Sequence, residues 1–165
     1  MRNSPRSKSA EDRTDGPLDV LDLYRLAEEQ NVPVYWYPLQ DSPLESFVVE
    51  LEDGGCAIAL DPLKLQSLGD EKYKLAHELG HGLTGALYCR STPLDERGRN
   101  ETRADRWAIH RLLPFEDLKA ALDQGITETA ELAEHFQLPG DLIEKAVALY
   151  TGPEGRCFTG MTSEA

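Results

Sequence analysis

Residues 74–81 read Lys74-Leu75-Ala76-His77-Glu78-Leu79-Gly80-His81, and the reading of the whole chain turns on this stretch. Four residues advance a helix by about 400°, so His77 and His81 share a face and two imidazoles can aim at one metal ion. Glu78 lies about 100° around from His77. It can therefore sit beside a metal without binding it, where a base for an attacking water belongs. The pattern HExxH is short and carries a risk of chance occurrence. Two histidines that merely pack a core helix are the alternative.

A zinc site needs a third protein ligand. Twenty residues after His81 stands Glu101-Thr102-Arg103-Ala104-Asp105. Glu101 and Asp105, four apart, share a helix face that Ala108 and Leu112 continue towards the core. Buried acids need partners, and a cation is a good one. Glu101 is the candidate third ligand. Asp105 is the candidate acceptor for the distal nitrogen of a ligand histidine, a contact that metal-binding histidines usually have. Gly80, Gly82 and Gly85 crowd the first ligand helix, although glycine costs up to about 1 kcal/mol in a helix interior. Close packing of the second ligand helix explains them, or simply a weak helix end near Gly85.

These two stretches, KLAHELGH (74–81) and ETRADRWAIHRLLP (101–114), resemble the ImmA/IrrE family of bacterial and phage metallopeptidases. The family pattern is HELGH followed by an ExxA(N/D)xxA helix ending in LLxP. Ala104, Asp105, Trp107, Ala108, Leu112, Leu113 and Pro114 stand in matching places. A β-hairpin at 45–60 and the segment ELAEHFQLP (131–139) also fit, so the resemblance spans about residues 18–150. It implies a zinc-dependent peptidase of gluzincin type, with His77, His81 and Glu101 as ligands of one Zn²⁺ and Glu78 as catalytic base. It also implies a protein substrate: a helix-turn-helix repressor that silences a mobile element or stress operon. No repressor-like domain is recognisable in this chain, so the expected target is a separate protein.

Around the motif, the sequence predicts an α+β fold: a small antiparallel β-sheet packed on a helical zincin-like core, with a C-terminal helix pair. Residues 1–16 read as a disordered arm, 17–125 as the metallopeptidase domain, 126–150 as the helix pair packed on it and 151–165 as a flexible tail. A helix after Pro17 runs to Gln30, and strands follow at 32–37, 45–51 and 56–60. The last two flank Asp53-Gly54-Gly55, a hairpin signal. The metal helix is expected over 71–86 with Asp70 as N-cap, then a loop at 88–99 and the second ligand helix over 100–113. Shorter helices follow at 116–123, 127–136 and 139–150.

The 165 residues carry 17 Lys+Arg against 30 Asp+Glu, a net charge of −13. That balance argues against a general electrostatic grip on nucleic acid or anionic lipid. No apolar run approaches the roughly 20 residues that span a bilayer. Three cysteines at wide spacing form no CxxC pair, and a reduced, cytoplasmic setting is expected; the family resemblance implies a bacterial or phage-encoded protein.

Residues 127–150 could make a helix-turn-helix, but five acids face one base, Lys145, so DNA contact is not expected. Removing 127–165 is expected to impair substrate cleavage more than metal binding. Arg99, Arg103, Arg106 and His110 cluster within about 60°, opposite Glu101, which keeps His110 off the metal. His135 reads as a surface histidine. Tyr73, Tyr88 and Arg90 are candidates for an oxyanion donor without one standing out. Cys89 as a switch ligand is a weaker idea still. The competing function is a non-proteolytic metal-binding module that relieves repression by contact alone. A purely structural metal site has no use for Glu78.

Overall fold

A computed structural model of the chain describes residues 17–40, 42–87 and 92–152. The expected arm (1–16), the tail beyond Gly152, and Tyr88, Cys89 and Arg90 lie outside these residues. The first helix, α1 (Val20–Glu29), starts on a capping box in which Asp19 and Asp22 each accept from the other's backbone N–H. It buries Leu23, Leu26 and Ala27. Asn31, at φ 55°, turns the chain out of it and into β1 (Val34–Trp36).

The three strands, β1, β2 (Ser46–Glu50) and β3 (Cys56–Leu60), stand in the order β1-β3-β2. The β2–β3 hairpin is antiparallel as expected, with Ser46 opposite Leu60 and Glu50 opposite Cys56. The sheet as a whole is mixed rather than largely antiparallel, because β1 runs parallel to β3 (Val34 opposite Ile58). Composition decides which strand is central. All five β3 residues, Cys-Ala-Ile-Ala-Leu, are apolar, and four are buried. β1 keeps Tyr35 and Trp36 exposed and follows Pro33, which suits an edge.

After the sheet the chain is helical. α2 (Leu68–Thr84) carries the motif. Its N-cap is Ser67 and not Asp70: Ser67 Oγ accepts from the Asp70 N–H at 3.1 Å and donates to the Asp70 carboxylate at 2.8 Å. The helix therefore begins about one turn earlier, with Asp70 at its positive end. α3 (Leu94–Leu112) also begins earlier than expected, directly after Pro93. Asp95 and Glu96 in its first turn and an Asp95–Arg99 pair (3.2 Å) favour helix there and outweigh Gly98 as a break. α4 (Phe115–Asp123), α5 (Thr129–Phe136) and α6 (Gly140–Thr151) complete the order.

α2 lies at the centre. It packs on α3, on the sheet through β2 and β3, and on α1, while α6 packs on α5 and α3. One apolar cluster joins Leu23, Ile58, Leu60, Leu75, Leu79, Ile109, Leu112, Leu132, Leu142 and Ile143. The fold is α+β. No helix among the described residues is long and apolar enough to cross a membrane.

Candidate metal centre

The site is built where α2 crosses α3. The crossing is close because position 80 is glycine: a Cβ there would stand 2.8 Å from the Ala104 carbonyl oxygen and 3.0 Å from Ala104 Cα. This is the close-packing reason for Gly80. The other two glycines differ. Gly82 faces the Cys56 thiol of β3, and Gly85, at φ 65°, caps α2 in the left-handed conformation.

With the helices so close, His77, His81 and Glu101 come together. The two Nε2 atoms are 3.1 Å apart. Glu101 places Oε2 at 3.2 Å from His77 Nε2 and Oε1 at 3.3 Å from His81 Nε2. Ligand atoms about 2.0–2.2 Å from a tetrahedral ion lie roughly 3.3–3.6 Å from one another, so the spacing suits one small cation.

The outer ring nitrogens sharpen this point. His77 Nδ1 donates to Asp105 Oδ1 at 2.9 Å, and His81 Nδ1 donates to the Ala86 carbonyl at 2.9 Å. A neutral imidazole that donates from Nδ1 has a bare lone pair on Nε2. Two lone pairs facing each other at 3.1 Å beside a carboxylate cannot hydrogen-bond to one another. A cation or a proton must lie between them, so the donor set fits a metal.

Glu78 is buried beside this cluster, and its Oε1 accepts from Ser46 Oγ at 2.6 Å. Burial raises the pKa of its carboxyl, against the lowering effects of Ser46 and the histidines. Asp105 behaves oppositely. Burial would raise it, but hydrogen bonds from His77 and Lys145 outweigh that and hold it at about 2. His77 loses charge stability through burial, yet Asp105 and Glu101 outweigh this and push it up to about 9.

A cleft of about 730 Å³ opens over these groups. Its floor is His77, Glu78, His81 and Glu101; one wall is the segment from Pro43 to Val49, and Lys74, Leu87 and Arg97 complete it. Two backbone bonds, Asp61 N to Glu45 O and Leu51 N to Gly55 O, fix which β2 residues face β3. By alternation, Ser46, Val48 and Glu50 turn their N–H and C=O groups to the open edge of the strand.

The remaining sequence candidates fall elsewhere. His110 is exposed and lies 3.3 Å from the Tyr150 hydroxyl. His135 is exposed with its ring against Phe136. Arg99, Arg103 and Arg106 are exposed. The Tyr73 hydroxyl is turned to Asp105 (3.0 Å) and Lys145 (2.7 Å), which removes it as an oxyanion donor.

Three participants escaped the sequence reading. Ser46 sits on a strand with no motif around it. Lys145 is the lone base of an acidic helix. Ala86 acts through its backbone, and its only signal was Gly85, four residues past a ligand histidine.

The family described as Peptidase M78, IrrE N-terminal-like domain, matches residues 27–147. Among solved structures, a Mycobacterium tuberculosis transcriptional regulator is similar in fold, with a TM-score of 0.60 at 14% identity over 81% of this chain. The chain spans 42% of that regulator. No curated protein matches. The two helices that carry the histidines and Glu101 lie inside the matched span, and the chain belongs to the IrrE N-terminal-like family of M78 peptidases.

Proposed function

We propose that the chain is a zinc-dependent endopeptidase that cuts a separate helix-turn-helix repressor of a mobile element or stress operon in the cytoplasm. His77, His81 and Glu101 hold one zinc, and Glu78 is the base. The observation that carries this is the convergence of two Nε2 lone pairs and a carboxylate in an open cleft, with a second, non-converging carboxylate at its side. Zinc is favoured by the His/His/Glu donor set. When bound, it supplies a Lewis acid that acidifies water and polarises the scissile carbonyl.

The residues of the chain do the rest. An extended substrate pairs with the open edge of β2 through the backbone groups of Ser46 and Val48, which brings its backbone over the floor of the cleft. Glu78, held by Ser46, takes a proton from the attacking water and passes it to the leaving amine. Its raised pKa suits a group that must both accept and return a proton. Asp105 and the Ala86 carbonyl keep both imidazoles in the tautomer that leaves Nε2 bare. Specificity comes from docking of the folded repressor outside the cleft, so casein is a poor substrate.

The test is Glu78→Gln, measured for zinc content and for cleavage of a purified repressor. The variant keeps about one zinc, whereas His81→Ala and Glu101→Ala lose it. Cleavage by Glu78→Gln falls by about 10²-fold or more. If Glu78→Gln relieves repression at the wild-type level with its metal retained, the chain works by contact alone and the peptidase proposal fails.

A further inference from the structure

Neither the cleft nor the motif accounts for Lys145. It lies on α6, forty residues beyond Asp105 in sequence, yet its ammonium group reaches Asp105 Oδ2 at 2.8 Å. It also donates to the Tyr73 hydroxyl at 2.7 Å, and that hydroxyl donates to Asp105 Oδ1 at 3.0 Å. Asp105 Oδ1 is the same oxygen that accepts from His77 Nδ1. Lysine, tyrosine and aspartate thus close a ring, and three helices meet in it: α2 through Tyr73 and His77, α3 through Asp105, α6 through Lys145.

A carboxylate that meets only one ring nitrogen is free to swing about its own side-chain torsions. Here the second oxygen is tied to a cation on another helix, so the plane of the carboxylate is fixed. The His77 ring follows that plane. Its orientation is further limited by the buried Tyr73 ring, edge-on at 6.0 Å between centroids and 77° between planes.

We propose that Lys145 is a positioning residue of the metal centre: it fixes the carboxylate of Asp105 so that Asp105 aims Nε2 of His77 at the metal. This rests on the reading of His77 as a ligand given above. The C-terminal helix pair is on this view a wall of the metal centre, joined to it by a hydrogen-bonded chain from Lys145 Nζ through Asp105 to His77.

The test uses the full chain and reads zinc affinity by competition with a chelator, with no substrate present. Lys145→Met keeps the aliphatic stem of an exposed residue and should fold. Loss of an outer partner of a ligand typically weakens metal binding by about 10–100-fold, which is expected for Asp105→Asn. Lys145 stands one bond further out, so Lys145→Met weakens zinc by about 3–10-fold, and Lys145→Arg restores most of the loss. Because Lys145 acts through Asp105, the double variant Lys145→Met/Asp105→Asn binds no more weakly than Asp105→Asn alone. Wild-type zinc affinity in Lys145→Met overturns the proposal, as does a double variant in which the two losses simply add. A lowered melting temperature of metal-free Lys145→Met with unchanged zinc affinity makes Lys145 a brace for α6 and also overturns it. A wild-type chain that binds no divalent metal overturns the metal reading first, and this proposal with it.

Discussion

His77 is subject to opposed demands. Burial works against its charged form, but Asp105 on one nitrogen and Glu101 on the other, with Glu78 nearby, push its pKa up to about 9 from 6.5. The charged groups near it include these three carboxylates and the Lys145 ammonium behind Asp105, and the His81 ring packs edge-on beside it. In the metal-free chain, the folded state holds a proton on His77 that the unfolded state releases near pH 6.5. The folded pKa is the higher one, so the folded state binds more protons between the two values, and stability falls as pH rises. The contribution is fully present below about pH 6.5 and is lost as pH passes through about 9; it amounts to at most on the order of 3 kcal/mol. Urea unfolding in excess chelator between pH 6 and 9.5 should show this decline. Zinc affinity should rise over the same window, since metal and proton compete for the same lone pair. A chelated protein whose stability is flat or increases from pH 6.5 to 9 contradicts the account.

Between elements, the decisive feature is the crossing of α2 over α3 at Gly80 and Ala104. Backbone atoms, not a flexible side chain, would meet a new Cβ at 2.8–3.0 Å. Gly80→Ala must therefore push the helices apart. Overpacking of this kind costs about 1–3 kcal/mol, more than the roughly 1 kcal/mol that alanine returns through helix propensity. Glu101 stands one turn before Ala104, so the same shift draws the third carboxylate away from the histidines. Gly80→Ala should lower the melting temperature of the metal-free chain and also weaken zinc binding. An alanine variant that is more stable and binds zinc normally would show that the crossing is loose. The pairing of His77 with His81, and of Glu101 with Asp105, was legible in the sequence because helical periodicity puts each pair on one face of its helix, with Glu78 about 100° to the side; that the two faces meet is a tertiary fact. The hairpin was legible from its glycine turn. The start of α3 was not, since Pro93 and Gly98 look like loop signals and only the acids of the first turn argue otherwise. Nor was the parallel pairing of β1 with β3, which depends on a strand inserting between two earlier ones. Ser46 and Lys145 reach the site only through tertiary contact, across 32 and 40 residues, and no local pattern marks such a contact.

At the scale of the whole molecule, the C-terminal helices share the apolar core of the two ligand helices. The expectation that a chain lacking residues 127–165 would keep its metal better than its cleavage treats those helices as an attachment. The structure places Leu132, Leu138, Leu142 and Ile143 in the same apolar cluster as Leu75, Leu79 and Leu112 of the two ligand helices. The Tyr150 hydroxyl donates to the Leu113 carbonyl at 2.8 Å, just past the end of α3, and Lys145 reaches Asp105. Each fully buried leucine or isoleucine contributes about 1.5–3 kcal/mol relative to exposure. Four of them amount to about 6–12 kcal/mol, comparable with the roughly 5–15 kcal/mol that holds a typical domain folded. A chain ending at Ile126 should therefore lose its cooperative thermal transition, and with it both zinc binding and cleavage. The proposed docking outside the cleft can be tested on the acidic helices α5 and α6 by reversing their exposed acids. Glu131→Lys with Glu134→Lys changes no buried group and leaves zinc affinity intact, while it alters the rate of repressor cleavage if that face makes contact. A truncated chain that melts cooperatively and binds zinc as the full chain does would restore the helix pair to the status of an attachment.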